Sequence, residues 1–391
     1  MTVKTRCHNV KCNKESAWHS QPFLPGSFIH AGNFLLPFSV ILSGGSATKT
    51  INMCKHMGLR CISLKTFFKH QREKIFPTIL IYWKNYQKSM MDKLKELDGG
   101  VVIAGDGRHD SMGHSAKFCA YTIFCCTSPM IIHFDIVQRN QAGSSTGMEF
   151  LAFKLCMEHL NGLNLLITTF VSDRHTAIAK PMKEVLKKII HYFDLWHIKK
   201  RSVVHENLCA ALTKTTLVKS IKKASPLAQT SSLEGFHSVL NHFAPKMLAY
   251  SYRGMYCRHI LAVVHFNANL HRDVKEHKKD KTERIKVIYP KFKNGEATIR
   301  NVTIKQNFSY VEDIFQTFMG TSNDELQVAV KELKDKTPPP MNTMMEKQSR
   351  SDALEKRAAR SKLTTQNVPP TTPVHQVTTQ RKKERQAPKC S

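Results

Sequence analysis

The sequence predicts an α/β fold with a mixed sheet, flanking helices, a helical N-terminal region and a basic tail. Three short apolar segments, bounded by Gly, Ser, Pro or Asp, follow one another between residues 101 and 137 and are typical of consecutive strands. Beyond them, apolar residues at helical spacing alternate with two further strand-like segments. The predicted strands are 101–104, 118–126, 130–137, 165–171 and 192–196, and the predicted helices between them are 147–160 and 176–190.

The element order β-β-β-α-β-α-β is typical of the RNase H-like fold. Upstream, apolar residues recur at helical spacing from Leu64 to Leu97, and Pro77 is expected to separate two helices or to kink one. From residue 334 the chain is rich in Pro, Thr, Gln and Lys, a composition that predicts disorder. The predicted divisions are an N-terminal region 1–98 with DNA contacts, an RNase H-like core 99–275, a small basic extension 276–333 and a disordered basic tail 334–391.

The charge balance indicates a polyanionic partner. Among 391 residues, 59 Lys and Arg stand against 30 Asp and Glu, which gives a formal net charge of +29. Because phosphate contacts release counterions, we expect nucleic acid as the partner rather than a cationic surface without a ligand. A hydrophobic content of 41% is enough for a packed core and argues against a wholly disordered chain.

No segment predicts secretion or a membrane span. The first residues lack the apolar core of a signal peptide, and the apolar stretch 34–42 is too short to cross a bilayer. Eleven cysteines at irregular spacing favour reduced thiols. Two basic clusters, 275–284 and 380–385, are interrupted by acidic residues but fit a nuclear location. We therefore expect a nuclear, or cytoplasmic and nuclear, protein.

Two aspartates fall at matching places in this topology. Asp106 follows the first predicted strand and Asp173 follows the fourth, and these strand ends are neighbours in the predicted sheet. Carboxylates there can converge on a pair of Mg²⁺ or Mn²⁺ ions, as phosphoryl transfer on nucleic acid requires. Each also has an ordinary alternative, since Gly-Asp-Gly is a common turn and Asp173 could cap the next helix. Asp110 is an alternative first ligand.

A third carboxylate, Glu234, lies on a helix predicted over 231–243. Ser231-x-x-Glu234 also matches a capping box, and periodicity alone does not separate the two roles. Lys117 and Arg174 flank the aspartates along the chain. These cations could contact phosphates, or they could simply be solvated.

Four sequence blocks together resemble a family of transposase-like animal proteins. The blocks are GDGRHDSMGHSAK at 105–117, SDRH at 172–175, FDLWH at 193–197 and LEGFHS at 233–238. Their layout is similar to that of eukaryotic cut-and-paste DDE transposases, including the hAT and Mutator-like groups, over roughly residues 15–320. The combination is far more specific than any one block.

The resemblance implies Asp106, Asp173 and Glu234 as the catalytic, metal-binding triad. Asp194 and His197 match the accessory Asp-x-x-His element that such transposases carry between their second and third acids. Mg²⁺ or Mn²⁺ is the implied cofactor, and homo-oligomers on DNA ends are the implied assembly. In one respect the chain departs from the family. His197 and Glu234 are only 37 positions apart, so much of the largely helical insertion expected between them is absent.

Cysteine and histidine spacing does not predict a structural zinc site. Neither of the two candidate sets shows the paired CxxC…CxxC or CxxC…HxxxH arrangement, and we expect unrelated thiols instead. The two sets are Cys7, His8 and Cys12, and Cys54, His56 and Cys61.

Three functions fit these observations. The preferred one is a transposase-derived DNA-binding protein with a DDE-type core for strand cleavage and transfer. The second is a catalytically inactive, domesticated or decayed copy that binds nucleic acid through its basic helices and tail. The third is an RNase H-like nuclease that cleaves RNA–DNA hybrids. An active site requires all three carboxylates within reach of a common metal pair.

Overall fold

Groups of helices precede and follow a central run of strands in this computed structural model. The structure describes residues 2–9, 11–12, 14–112, 115–173, 175–194, 230–277, 281–291, 295–344 and 347–364. The strands are β1 (Thr2–Arg6), β2 (Glu15–His19), β3 (Val101–His109), β4 (Phe118–Cys125), β5 (Met130–Gln138), β6 (Ile167–Ser172), β7 (Ile190–Phe193), β8 (Ile285–Ile288) and β9 (Thr298–Asn301). The helices are α1 (Ala31–Leu42), α2 (Ala47–His56), α3 (Leu64–His70), α4 (Phe76–Lys95), α5 (Arg139–Ala142), α6 (Ser145–Gly162), α7 (Thr176–Glu184), α8 (Ser231–Phe243), α9 (Tyr252–Asn269), α10 (Ser309–Gly320), α11 (Asn323–Asp335) and α12 (Arg350–Thr364). The residues up to Pro338 form one compact unit, and α12 belongs to a second unit that begins at Pro339.

The central sheet has the strand order β5-β4-β3-β6-β7. Strands β3, β4 and β5 form an antiparallel meander, while β6 pairs parallel to β3 and β7 pairs parallel to β6. The two parallel connections pass through α6 and α7. A three-stranded meander extended by two parallel strands is the RNase H-like arrangement, and it confirms the predicted fold class.

Alternate residues of the sheet face two separate hydrophobic cores, because successive side chains of a strand point to opposite faces. Ile103 and Phe170 face the core shared with α6, α7 and the end of α4. Ala104 and Val171 face the core shared with α4, α8 and α9. The sheet is therefore covered by helices on both faces, and each large apolar side chain buried there contributes about 1.5–3 kcal/mol.

The parallel strands are in register at the edge of the sheet that carries the predicted acids. Gly105 of β3 pairs with Ser172 of β6, and Ser172 pairs with Phe193 of β7. The residues that follow this row on the three strands are Asp106, Asp173 and Asp194. This register places three aspartates side by side.

The helical path from Leu64 to Lys95 contains one π-helical turn, Gln71–Ile75, directly before α4. Pro77 lies in the first turn of α4. A proline lacks the backbone N–H and its ring crowds the carbonyl four residues earlier, so a wider turn before it accommodates the ring. The disturbance predicted at Pro77 thus takes the form of a π-turn.

Several elements differ from the sequence prediction. Helices α1 and α2 occupy a region that the apolar pattern left unassigned, and α1 contains Pro37. Strand β3 continues to His109 because its pairing with β4 extends that far. Helix α7 ends at Glu184, short of the predicted 190. Within the segment predicted as disordered, residues 350–364 form α12, whose Ala, Lys, Arg and Glu content favours a helix.

Candidate active site

Asp106 lies inside β3, which corrects the prediction that it directly follows the first strand. Relative to β6 it still occupies a strand end, because the last β3–β6 pair is Gly105 with Ser172. Its Oδ1 accepts a hydrogen bond from the Gly107 backbone N–H at 2.8 Å, and its side chain is 20% exposed. The Gly-Asp-Gly segment is therefore a paired strand and not a turn.

The glycines on either side of Asp106 allow close packing against β3. A Cβ atom at Gly105 would lie 2.6 Å from the ring of Tyr121, and one at Gly107 would lie 2.6 Å from the carboxyl carbon of Glu149. Neither approach is compatible with a side chain at the glycine unless the neighbour moves. Both positions thus let a partner side chain reach the backbone beside Asp106.

The charges of three other carboxylates act on Asp106. Burial is the largest cause that raises the pKa of Asp106 to about 8, and the negative charges of Asp173 and Glu149 add to it. Glu234 raises this pKa by a smaller amount, while the Gly107 N–H opposes the rise. The charges of the two other sequence-predicted acids, Asp173 and Glu234, therefore both act on Asp106, and Asp173 does so more strongly.

Glu149 of α6 is the one of these carboxylates that sequence reasoning missed. Its carboxylate packs on Gly107 and lies 3.9 Å from Nε2 of His175. Burial and Asp173 raise the pKa of Glu149, whereas His175 and His109 lower it. A sequence signal existed, because position 149 falls at helical spacing on the apolar face of a predicted helix.

Asp173 directly follows β6 and does not cap α7. The N-cap of α7 is His175, and no side-chain hydrogen bond caps the helix. The backbone carbonyl of Asp173 accepts hydrogen bonds from the His175 N–H at 2.8 Å and from the Ser172 hydroxyl at 3.0 Å. These bonds fix the backbone at the strand end, and the carboxylate of Asp173 acts on Asp106.

Glu234 lies exposed in the first turn of α8. The N-cap of this helix is Thr230, and no side-chain capping bond is present, so the capping box of Ser231 and Glu234 does not form. The buried guanidinium of Arg108 donates hydrogen bonds to the Asn241 side chain and, at 3.1 Å, to a backbone carbonyl just after α8. Strand β3 thereby holds the helix that carries Glu234.

Asp194 is buried at the end of β7 and is linked to the start of α8. The hydroxyl of Thr230 donates a hydrogen bond to the carboxylate of Asp194. The backbone N–H of Asp194 donates to the Ser172 carbonyl at 2.8 Å. Asp194 thus connects β6, β7 and the N-cap residue of α8. His197, the other predicted accessory residue, lies outside the described residues.

The remaining predicted residues have structural partners or lie outside the described residues. The ammonium of Lys117 donates to the Tyr250 carbonyl at 3.4 Å and lies 4.8 Å from the centroid of the Phe118 ring. Asp110 Oδ1 accepts from the backbone N–H groups of Lys117 at 2.9 Å and Phe118 at 3.2 Å, so it closes a loop. Arg174 lies outside the described residues.

A cleft of about 570 Å³ adjoins Asp106 and is lined in part by Glu149, His175, His237 and Lys246. Nδ1 of His237 lies 3.6 Å from Oδ2 of Asp106. Burial, followed by the charges of Arg108 and Lys246, lowers the pKa of His237 to about 3. At pH 7 the imidazole is therefore neutral and the Asp106 carboxyl is mostly protonated when no cation is bound.

Potential metal ligands approach one another most closely elsewhere in the described part of the chain. There, one set of three side chains, His133, Asp135 and Cys156, has donor atoms within 4.8 Å of one another. These atoms already share hydrogen bonds with each other and with Gln87 and the Tyr121 carbonyl. Among the same described residues, the carboxylates around Asp106 do not form so tight a set.

Comparisons with known proteins give weak structural similarity and no sequence match. No protein-family model and no curated protein matches the chain. The chain is similar to a solved structure, the Drosophila P element transposase strand transfer complex, with 12% identity and a TM-score of 0.25 over 78% of this chain and 80% of that one. The fold assignment therefore rests on the strand order and pairing. In the described part of the chain, no helix combines the length and the apolar character needed to cross a membrane.

Proposed function

We propose that this chain is a transposase-derived, DNA-binding protein whose RNase H-like core cleaves and transfers DNA strands by DDE-type phosphoryl transfer. The observation that carries the proposal is the position of Asp106 and Asp173, each one residue beyond the same paired row of two parallel strands. Glu149 and Glu234 add charge to the same place. The net charge of +29 supports a nucleic-acid substrate.

The donor set fits hard divalent cations. Burial raises the pKa of Asp106, and the negative charges of Asp173, Glu149 and Glu234 add to the rise. A cation with oxygen ligands would offset both effects. Asp106 and Asp173 would be the primary ligands of Mg²⁺ or Mn²⁺, with Glu234 as the third. When bound, such an ion pair supplies activation of water or of a 3′-hydroxyl and stabilisation of the leaving oxygen.

Other residues of this chain would position that set. Arg108 ties α8 to β3, and Thr230 ties the start of α8 to Asp194, so the helix that carries Glu234 is held at both ends. Glu149 would either complete the ligand set or balance the charge of His175.

The proposal is tested by Asp106→Asn, with Asp92→Asn as the exposed control. We expect Mg²⁺- or Mn²⁺-dependent nicking of supercoiled DNA to fall at least about a hundredfold in the first variant, because a primary ligand is lost. The control should retain wild-type activity, and circular dichroism should show both variants folded. Full activity in Asp106→Asn would remove this residue from the mechanism.

A second function, DNA binding without catalysis, is favoured by the carboxylate spacing and by the short segment between His197 and Glu234. Under that function the wild type binds DNA but does not nick it with either metal. Cleavage of an RNA–DNA hybrid together with inert duplex DNA would instead indicate the RNase H-like nuclease. Assays of DNA binding, duplex nicking and hybrid cleavage on one purified preparation therefore distinguish the three functions.

Nuclear location and homo-oligomeric assembly on DNA ends belong to this proposal as well. Imaging of the tagged full chain tests the first. Sedimentation of the protein with and without duplex DNA ends tests the second, and a monomer under both conditions would contradict it.

A further inference from the structure

A second cleft, of about 600 Å³, lies between α2, the π-turn before α4 and the start of α9. Its lining includes Ser46, Arg72, Tyr250, Ser251, Arg253 and Arg258. Among the described residues, no aspartate or glutamate lines it. The cleft is therefore cationic, in contrast to the carboxylate site.

Two helices begin at this cleft. Ser46 caps α2 and Ser251 caps α9, in each case by accepting a hydrogen bond from a backbone N–H of the first turn. The other first-turn N–H groups have no carbonyl partner within their helix, and the positive ends of two helix dipoles meet here. Helix starts of this kind are common phosphate-binding elements.

Arg258 adds a buried positive charge to these helix starts. It is 7% exposed, and its guanidinium donates to the carbonyls of Phe243 at 2.9 Å and Gly45 at 3.0 Å. It also lies 5.2 Å from the centroid of the Tyr250 ring. Burial of an arginine without a carboxylate partner is costly, and an anion in the cleft would offset part of that cost.

Arg72 and Arg253 reach the same cleft from less buried positions. In the described part of the chain, no carboxylate lies within ion-pair distance of these two arginines or of Arg258. Guanidinium groups suit phosphate oxygens because they can donate two parallel hydrogen bonds. We infer that this cleft binds a phosphate group.

One chain segment borders both clefts and suggests the source of the phosphate. Lys246 lines the cleft beside Asp106, and Tyr250 lines the cationic one. The segment is joined to the loop after β3 by the Met247 N–H, which donates to the Asp110 carbonyl at 2.9 Å. A DNA strand at the carboxylates would continue past this segment. The assignment of the phosphate to a DNA strand rests on the proposed function. The inference that the cleft binds a phosphate group does not.

The test uses Arg72→Gln/Arg253→Gln, with Arg60→Gln/Arg300→Gln as a control that removes two exposed arginines. Binding of a short duplex is followed by fluorescence anisotropy between about 50 and 200 mM salt in EDTA, so that no nicking occurs. We expect the slope of log K against log salt to fall by about 2 in the cleft variant and to stay unchanged in the control.

Pyrophosphate is the second probe, read as an increase in Tm. Loss of this increase in the cleft variant, with DNA binding intact, assigns the cleft to a free phosphate ligand. A weaker affinity for DNA, with the pyrophosphate effect on Tm unchanged, assigns the cleft to a DNA strand. Wild-type behaviour of the cleft variant with both probes would overturn the inference. Should the double variant not fold, Ala249→Glu places a negative charge at an exposed position in the same lining and is expected to give the same losses.

The two proposals fail independently. The anisotropy and Tm measurements on the wild type, the cleft variant and the Arg60→Gln/Arg300→Gln control are made in EDTA and do not require cleavage, so their outcome does not depend on the catalytic proposal. A wild type that does not nick DNA, together with weakened binding in Arg72→Gln/Arg253→Gln, would overturn the catalytic function and leave the phosphate cleft standing.

Discussion

The carboxyl group of Asp106 carries much of the chemistry expected of this protein. It is only one-fifth exposed, and burial together with the charges of Asp173, Glu149 and Glu234 holds its proton more tightly than in water. Burial and like charge both disfavour the ionised form, and a divalent cation would favour it. Proton and metal therefore compete for the same oxygens.

Stability should fall as pH rises when no divalent ion is present. With a pKa of about 8 in the fold and an ordinary value near 3.8 in the unfolded chain, Asp106 keeps its proton in the folded state between these limits and loses it in the unfolded state. The unfolded state then binds fewer protons, so rising pH favours unfolding. The full effect is on the order of 5 kcal/mol.

Asp106→Asn isolates this contribution. Urea denaturation in EDTA at about pH 4, pH 6 and pH 9 is expected to show similar stability for both proteins at about pH 4 and a variant that becomes progressively more stable than the wild type as the pH rises to about 8, with little further change above it. Added Mg²⁺ should restore the wild type at pH 9. Equal pH dependence of the two proteins would contradict the raised pKa.

Some site residues could be predicted from the sequence and others could not. Asp106 and Asp173 were grouped because the ends of neighbouring parallel strands meet at one edge of a sheet. Glu149 was not, since its membership depends on a close approach to Gly107 that only the packed fold reveals. The capping alternatives for Asp173 and Glu234 were local patterns, and the structure uses other residues as N-caps.

Helix α8 is the element on which the third acid depends. Its start is joined to β7 through Thr230 and Asp194, and its far end is joined to β3 through Arg108. The sequence predicted this helix with the same bounds, because its apolar spacing is regular. It did not predict either attachment, since both join residues distant in sequence.

Thr230→Val removes the hydroxyl that links α8 to Asp194. We expect a lower kcat for nicking with an unchanged KM for DNA, together with a loss of about 1–3 kcal/mol of stability. Thr230→Ser should restore kcat, which a purely steric effect would not allow. Thr317→Val, which removes a hydroxyl bonded only within α10, serves as the control. An unchanged kcat in Thr230→Val would show that the link does not position Glu234.

Across the whole molecule, a sheet between two helical cores presents the cleft beside Asp106 and the basic cleft on either side of one segment, residues 246–251. Composition predicted a basic protein, and strand order predicted the fold. Neither predicted the basic cleft, because its arginines come from α9 and from the π-turn before α4 and meet only through tertiary packing. Helix α1 was missed for a local reason, because Pro37 interrupts its apolar pattern.

The most direct measurement of the central claim is anomalous diffraction from crystals of the full chain soaked in Mn²⁺. We predict a manganese peak bound by the carboxylates of Asp106 and Asp173, with Glu234 or Glu149 as a further ligand, and loss of that peak in Asp106→Asn. A peak only at His133, Asp135 and Cys156, or none beside Asp106 at saturating Mn²⁺, would contradict the claim.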